Sequence, residues 1–541
     1  MTEPEAPASE SLPARLARQP AWVRYALAFG AGAVATVALA PFHFAPAMAA
    51  GIVILVWLLD GAAGRAHRLR AGFAAGWWFA FGYFLVGMRW LPAAFEVDSA
   101  SFGVGLGLAG LVTLAAGLAV FWGVAGAAAV RFWTGGPRRI AWFALCFWLA
   151  EMARERLFGG LPWNQPGYLW LAGGEISQVA SIIGIDGLTA LTLLVMAAPA
   201  AIADRDHRLW VRFAPAAGAA LALGALWGGG AARLRESPNL PAADAPIIRV
   251  ADPGVSQRDK WAQAPDQEWR ILDRYAAVSG AAEASDAQIL IWPEGAIPTV
   301  NFFALENPYF LQEVGALLGQ RVVVLGVTRR EARGESPTYY NAAVVIDGVV
   351  GAARLGQIYD KSRLVPFGEF IPLWSLFSAM NIAPLQRIGA GFTPGGPPGR
   401  VFIPDAPPAA ITICYEAIFP NFIPRGPERP GWIIAISNDA WFKFQERDLT
   451  GAGETGPAQH ANQALYRAIE EGLPMARAAS GGWSFIADAN GRLVRAVGPQ
   501  GGAAQAALPP ALPQTPFARW GVAFLLALAG GLTALRFWRL S

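Results

Sequence analysis

Ile411-Thr412-Ile413-Cys414-Tyr415-Glu416 is an apolar, β-branched run that stops at a thiol. It reads as a strand over 410–413 that ends at Cys414 and turns through Tyr415 and Glu416. A nucleophile on a strand-to-turn elbow projects clear of its sheet, and the backbone N–H that follows it can face an oxyanion. Two other apolar β-type runs also end on chemistry. One is Ile291-Trp292-Pro293-Glu294-Gly295. The other is Tyr359-Asp360-Lys361-Ser362-Arg363, which leads into Leu364-Val365-Pro366-Phe367-Gly368-Glu369. Carboxylate, ammonium and thiol are the groups needed to form and break a thioester. Glu294 at a strand end against an apolar wall can take a thiol proton. Lys361 beside the thiol would favour thiolate and balance a tetrahedral oxyanion. Each also has a plainer reading, as surface carboxylate, solvated lysine or packed cysteine. Their shared position at strand ends favours the chemical one.

These runs belong to one block with its own texture, about 232–516. Val- and Ile-rich stretches recur at 246–251, 288–292, 321–327, 342–350, 409–413, 432–437 and 483–487. Helix-like stretches lie between several of them, clearest at 266–283, 307–318 and 456–471. Alternating strands and helices predict an α/β domain with a buried core.

The rest of the chain is of another kind. Across 541 residues, 54% are hydrophobic and only 15% charged, with mean hydropathy +0.36. Such values indicate a polytopic membrane protein with a soluble portion. Segments 22–41, 46–62, 71–91, 102–130, 140–157, 179–202, 213–231 and 517–535 are eight candidate spans. Their Gly/Ala richness suits close helix contact in a bilayer. Basic clusters at 15–24, 65–70, 131–139, 205–212 and 536–539 alternate with loops poor in positive charge. By the positive-inside rule both termini face the cytoplasm and the large insert faces the periplasm. The expected organisation is an N-terminal cytoplasmic tail (1–21), seven helices (22–231), the periplasmic α/β domain (232–516) and a last helix with a short tail (517–541). The first helix is expected to be retained, since no small-residue cleavage site follows a short apolar core.

Other classes fall away. A net charge of +3 gives no footprint for nucleic acid. Two cysteines make no disulfide scaffold, and Cys146 lies in the apolar run 140–150, where it is expected to pack in the bilayer. His460 is the one histidine in the soluble block. Without a Cys/His cluster no metal site is expected, and a zinc or Ser-His mechanism is disfavoured. No cofactor is expected, and the lack of a glycine-rich phosphate loop after a strand argues against a nucleotide-driven transporter. Membrane context by itself implies only a lipid-like substrate. Large apolar residues at 302–310, 371–382 and 417–423 are either covered by the domain or act as interfacial lids. Glu151, Arg154, Glu155 and Arg156 close the fifth span, where mutual pairing is expected. Trp163 just beyond them could frame a lipid entrance.

Glu294, Lys361 and Cys414, in this order and with these flanks, resemble the Glu-Lys-Cys triad of the nitrilase superfamily. Together with the membrane segments, the chain resembles the bacterial apolipoprotein N-acyltransferases. Further motifs carry the likeness: Leu161-Pro162-Trp163 followed by Gly167-Tyr168, Lys260-Trp261, Val365–Glu369, Cys414–Glu416, and Ser437-Asn438-Asp439-Ala440-Trp441-Phe442. The resemblance covers nearly the whole chain. It implies a four-layer α-β-β-α nitrilase-like sandwich on about eight membrane helices. It implies that Glu369 supports Lys361 or shares the base role, and that Trp261, Tyr415 and Glu416 shape the pocket. It implies a monomeric, multi-pass inner-membrane enzyme that carries an acyl chain from a phospholipid, through a thioester on Cys414, to the amine of a diacylated apolipoprotein. One departure is Val250-Ala251-Asp252-Pro253, where the family usually shows a Gln-containing strand end. A membrane-anchored amidase using water as acceptor, and a transporter or scaffold with a degenerate domain, are the alternative readings.

Overall fold

Long apolar runs leave the backbone of the first half one way to satisfy itself within lipid, the α-helix. The computed structural model describes residues 11–96, 103–237, 240–261, 266–282, 285–297, 305–333, 336–349, 352–371, 391–443 and 452–537. Its first half comprises α1 (Leu12–Arg18), α2 (Ala21–Ala35), α3 (Ala45–Ala63), α4 (Arg68–Gly87), the short α5 (Ala93–Glu96), α6 (Gly103–Arg131), α7 (Arg138–Arg156), α8 (Ala180–Ala197) and α9 (Leu209–Glu236). The α/β portion follows with β1 (Ile247–Asp252), α10 (Gln257–Trp261), α11 (Gln267–Ser279), β2 (Ile289–Ile291), α12 (Pro308–Leu318), β3 (Val322–Arg333), β4 (Ser336–Val349) and β5 (Ala352–Asp360). It continues through β6 (Arg400–Val401), β7 (Ala409–Ile413), β8 (Trp432–Asn438), α13 (Ala452–Glu471), β9 (Met475–Ser480), β10 (Ser484–Ala487), β11 (Leu493–Val497) and β12 (Gly502–Ala507), and α14 (Pro516–Phe537) follows.

Each of the eight expected spans carries one of these helices, while α1 and α5 are additional. Among the described residues, five helical stretches are long and apolar enough to cross a membrane: Ala21–Ala38, Ala45–Ala63, Gly105–Arg131, Ile176–Ala203 and Leu209–Glu236. The other three depart from a plain span. Helix α4 opens on Arg68 and Arg70, α7 carries charge at both ends, and α14 is kinked at Trp520. Small residues set the helix spacing, as the Gly/Ala content predicts. A Cβ on Gly76 would collide with the Trp122 carbonyl of α6, and one on Gly82 with the Phe29 carbonyl of α2.

Among the described residues the α/β domain has two six-stranded sheets, in the orders β12-β1-β2-β3-β4-β5 and β11-β10-β9-β8-β7-β6. Each has a parallel centre, β1-β2-β3 in one and β7-β8-β9 in the other, flanked by antiparallel strands. Strands β7, β8 and β9 are buried at every residue, which accounts for the mainly apolar reading of β7 and β8. Ile248, Val250, Ile289 and Ile291 of the first sheet meet Ile411, Ile413, Ile434 and Ile436 of the second in the interior. Helices α11 and α12 cover the outer face of the first sheet through Ile271, Tyr275, Phe310 and Val314. Helix α13 covers the second. The result is the expected α-β-β-α order.

Beyond α13 the core does not end. Ala464, Leu465 and Ile469 of α13 join one apolar cluster with Phe79, Trp122 and Phe147 of the membrane helices. The polar face of α13 is buried too, and backbone of the membrane half satisfies much of it. Asn462 accepts from the Ala172 amide at 2.9 Å and donates to the Tyr168 carbonyl at 3.1 Å. Tyr466 donates to the Trp170 carbonyl at 2.7 Å, and Glu470 accepts from the Ile185 amide at 2.8 Å. Residues 417–423 were open to two readings, cover or lid. Ala417, Ile418, Phe419, Phe422 and Ile423 are buried in this same cluster, so they are cover. Residues 302–304 and 372–382 of the other two apolar stretches lie outside the described residues.

Backbone-to-backbone contact at Gly76 leaves no room for a methyl group, whereas a Cβ on Gly218 of α9 meets nothing within 4 Å. We predict that Gly76→Ala lowers stability by about 1–3 kcal/mol, as overpacking does, while Gly218→Ala leaves it unchanged or slightly raised. Thermal unfolding in detergent measures both, and equal losses would contradict the close-approach argument.

Candidate active site

Three strand ends converge to make the site. Glu294 follows β2, Lys361 is the first residue after β5, and Cys414 is the first after β7. The Lys361 ammonium is buried between two carboxylates, 3.2 Å from Glu294 Oε1 and 2.9 Å from Glu369 Oε1. The Asn341 amide, on β4, donates to the same two oxygens at 2.6 Å each. Glu294 Oε2 accepts from the Asn438 amide at 3.0 Å, and Glu369 Oε2 from the Val365 amide at 2.8 Å. All four carboxylate oxygens are therefore held, and one positive charge serves two negative ones.

Burial pushes the Cys414 thiol well above its ordinary range, and the Glu294 charge pushes it further. Lys361 opposes both, with help from a hydrogen bond to Ser437. Burial alone would lower Lys361, yet Glu294 and Glu369 overcome that and hold it firmly protonated. The resting pair is thus thiol and ammonium. Cys414 itself has φ +50°, in the left-handed region that a side chain rarely enters. The elbow expected from sequence is present and strained.

Glu416 is a brace. Its Oε1 accepts from Tyr359 hydroxyl at 2.9 Å and from the amides of Ser362 at 2.7 Å and Arg363 at 3.1 Å. Its Oε2 accepts from the Ile413 amide at 2.8 Å. One buried carboxylate thus ties the loop carrying Lys361 to the strand carrying Cys414. Tyr415 points the other way, and its hydroxyl donates to the Gly160 carbonyl beyond α7. Trp163 lies in the adjoining wall: its ring is 5.0 Å from Trp90, 5.8 Å from Phe442 and 5.4 Å from His460, and its indole donates to Gln459 at 2.8 Å. Trp261 closes α10, but its side chain lies outside the described residues. Behind the wall Glu151 and Arg154 pair as expected, and Trp122 donates to Glu151 at 2.6 Å.

Two comparisons bear on what such a site belongs to. Residues 31–198 match the family described as apolipoprotein N-acyltransferase N-terminal domain, and residues 255–514 match carbon-nitrogen hydrolase. An apolipoprotein N-acyltransferase of Bradyrhizobium diazoefficiens is 38% identical over 527 residues, covering 94% of each chain. Those of Rhodopseudomonas palustris and Rhizobium rhizogenes are 35% and 36% identical, over 95% and 88% of this chain and 95% and 87% of their own. The chain belongs to the apolipoprotein N-acyltransferase family. It is an acyltransferase of the carbon-nitrogen hydrolase type in a bacterial membrane.

Several residues of this acyltransferase site were not singled out by sequence. Asn341 sits mid-strand without a motif. Asn438 and Asp439 were visible only as part of a resemblance, although their strand β8 runs directly beside β7. The departure at Asp252 finds a use: its carboxylate accepts from the Gly254 amide at 3.0 Å and the Gly481 amide at 3.1 Å, bracing the turn between β9 and β10. Next to it, burial lowers Lys260 to about 8 against the pull of Asp252 and Glu294.

Because Lys361 is the group that holds the thiol down, its loss must raise the thiol further and shrink the thiolate fraction. We predict that, at about pH 8, iodoacetamide alkylates Cys414 about tenfold more slowly in Lys361→Met than in Lys361→Arg, which keeps the charge. Peptide mass spectrometry follows the adduct. Equal rates in the two variants would show that the ammonium does not govern the thiol.

Proposed function

We propose that this enzyme transfers an acyl chain from a phospholipid to the free amine of a lipoprotein's diacylglyceryl-cysteine, through a thioester on Cys414. The observation that carries this reading is the ammonium of Lys361 shared by Glu294 and Glu369 near a half-buried thiol at a strand elbow. Glu294 takes the Cys414 proton and the thiolate attacks an ester carbonyl of the phospholipid. Lys361 balances the charge that develops on the carbonyl oxygen. The C–O bond breaks, the proton returns to the leaving alkoxide, and lysophospholipid departs. In the second half the amine attacks the thioester, Glu294 takes its proton, and the thiolate leaves as the amide forms. Amide formation from a thioester is downhill, so the cycle needs no nucleotide. Glu369 and Glu416 act through Lys361 and the elbow, and Tyr415, Trp163 and Trp261 shape the substrate's surroundings.

The orientation belongs to the same proposal. The basic loops favour cytoplasmic termini and a periplasmic domain, where lipoprotein amines would arrive on a lipid anchor. That anchor confines the amine to the depth of the site and raises its effective concentration.

Two measurements test the reading. Purified enzyme with phospholipid alone should release about one equivalent of lysophospholipid in a burst and stall, then resume when a diacylated lipopeptide with a free N-terminus is added. Cys414→Ser should cut the burst rate by roughly 10³-fold or more. Steady fatty-acid release without any amine would instead identify a water-using amidase. For orientation, an impermeant thiol reagent should label Ser336→Cys in intact spheroplasts and Ala66→Cys only after lysis. The opposite pattern would place the site on the cytoplasmic side.

A further inference from the structure

The proposed chemistry uses none of the polar array buried directly behind Cys414. His460, on α13, places Nε2 3.1 Å from the Cys414 carbonyl oxygen. A carbonyl can only accept, so Nε2 carries the hydrogen and donates. The opposite edge of the ring is fixed as well: Nδ1 lies 2.8 Å from Asp439 Oδ1. Asp439 Oδ1 also accepts from Ser437 at 2.8 Å, and its Oδ2 accepts from Arg477 at 2.8 Å. Arg477 in turn donates to the Trp483 carbonyl at 2.7 Å. His460, Asp439 and Arg477 are all buried, and burial of such an array is costly unless its geometry is needed.

The residue preceding His460 ties this array to the membrane half. Gln459 Oε1 accepts from both indoles of the wall, Trp90 at 3.2 Å and Trp163 at 2.8 Å, and its Nε2 donates to the Gly87 carbonyl at 3.1 Å. Two adjacent residues of one helix thus grip the end of α4 on one side and the nucleophile's own backbone on the other.

We propose that His460 is a positioning residue whose Nε2–H holds the Cys414 carbonyl, keeping the nucleophile in its left-handed turn and, through Gln459, in register with the membrane helices. Two consequences follow. A residue at φ +50° persists only where its surroundings hold it, and the carbonyl is the handle by which this one is held. That carbonyl also shares a peptide unit with the Tyr415 N–H. Donation into the oxygen polarises the unit and strengthens the N–H as a donor, which under the proposed function is the group that follows the nucleophile and faces the oxyanion. His460 touches neither substrate nor proton in this scheme. It acts through Cys414.

The inference rests on the proposed function only for the meaning of the burst, and its test is built to separate the two. A glutamine amide reaches where imidazole Nε2 sits, whereas an asparagine amide reaches only the Nδ1 position. His460→Gln should therefore keep the burst of lysophospholipid release within about tenfold of the parent, while His460→Asn and His460→Ala lose about 10²-fold, the scale of a misplaced nucleophile. Thermal unfolding should be alike for the Gln and Asn variants. Alkylation of Cys414 by iodoacetamide, which needs no lipid, should show the same order. Equal behaviour of Gln and Asn, or an Ala variant as fast as the parent, would overturn the positioning role. If the parent forms no acyl-enzyme but the alkylation order holds, the acyl-transfer reading fails and the positioning role stands.

Discussion

The whole site depends on a charge imbalance around Lys361. Two carboxylates share one ammonium, with Lys361 and Glu294 buried and Glu369 half-buried, which leaves one negative charge over. A buried ion pair is tolerated only when its remaining hydrogen-bonding positions are filled. Asn341, the Asn438 amide and the Val365 amide fill them, which explains why a neutral amide is built into β4 between two acids. Under the proposed function, the unmatched charge is the destination of the Cys414 proton. Had the array been balanced one to one, the thiol, raised by its own burial, would have had no base within it.

That arrangement would be useless to a lipid if the domain floated free of the bilayer. It does not, because α13 has two buried faces. Its apolar residues join the cluster of the membrane helices, and its polar ones bond to backbone at the end of α4, in the loop after α7 and in the first part of α8. Tyr415 adds a further tie from the elbow to Gly160. The strand ends that carry the chemistry and the helices that define the membrane are consequently one packed body. Position relative to the lipid is set by the fold and needs no separate docking step.

How much of this the sequence discloses follows from what each residue signals by itself. Helix α3 and strands β7 and β8 are mainly apolar and were legible, as was the elbow at Cys414 that ends β7. Strand β5 was legible only at its end, before Lys361: Arg354, Leu355, Gly356 and Gln357 are exposed and break any apolar rhythm ahead of it. Strands β9 and β12 hide for another reason. Met475-Ala476-Arg477-Ala478-Ala479-Ser480 and Gly502-Ala503-Ala504-Gln505-Ala506-Ala507 are alanine-rich, and alanine has little intrinsic preference for a strand, so neighbours decide.

The polar face of α13 was the hardest to read. Gln459, His460, Asn462, Gln463, Arg467 and Glu470 recur with helical spacing, and such a stripe ordinarily faces water. Here all six are buried. The partners of Gln459, Asn462 and Glu470 lie 285 to 372 residues earlier in the chain, and several of them are backbone, which leaves no signature in side-chain type. A buried polar group needs a partner, but it does not say where that partner comes from. The helix that joins membrane to chemistry is for that reason written in the residues that least resemble a core.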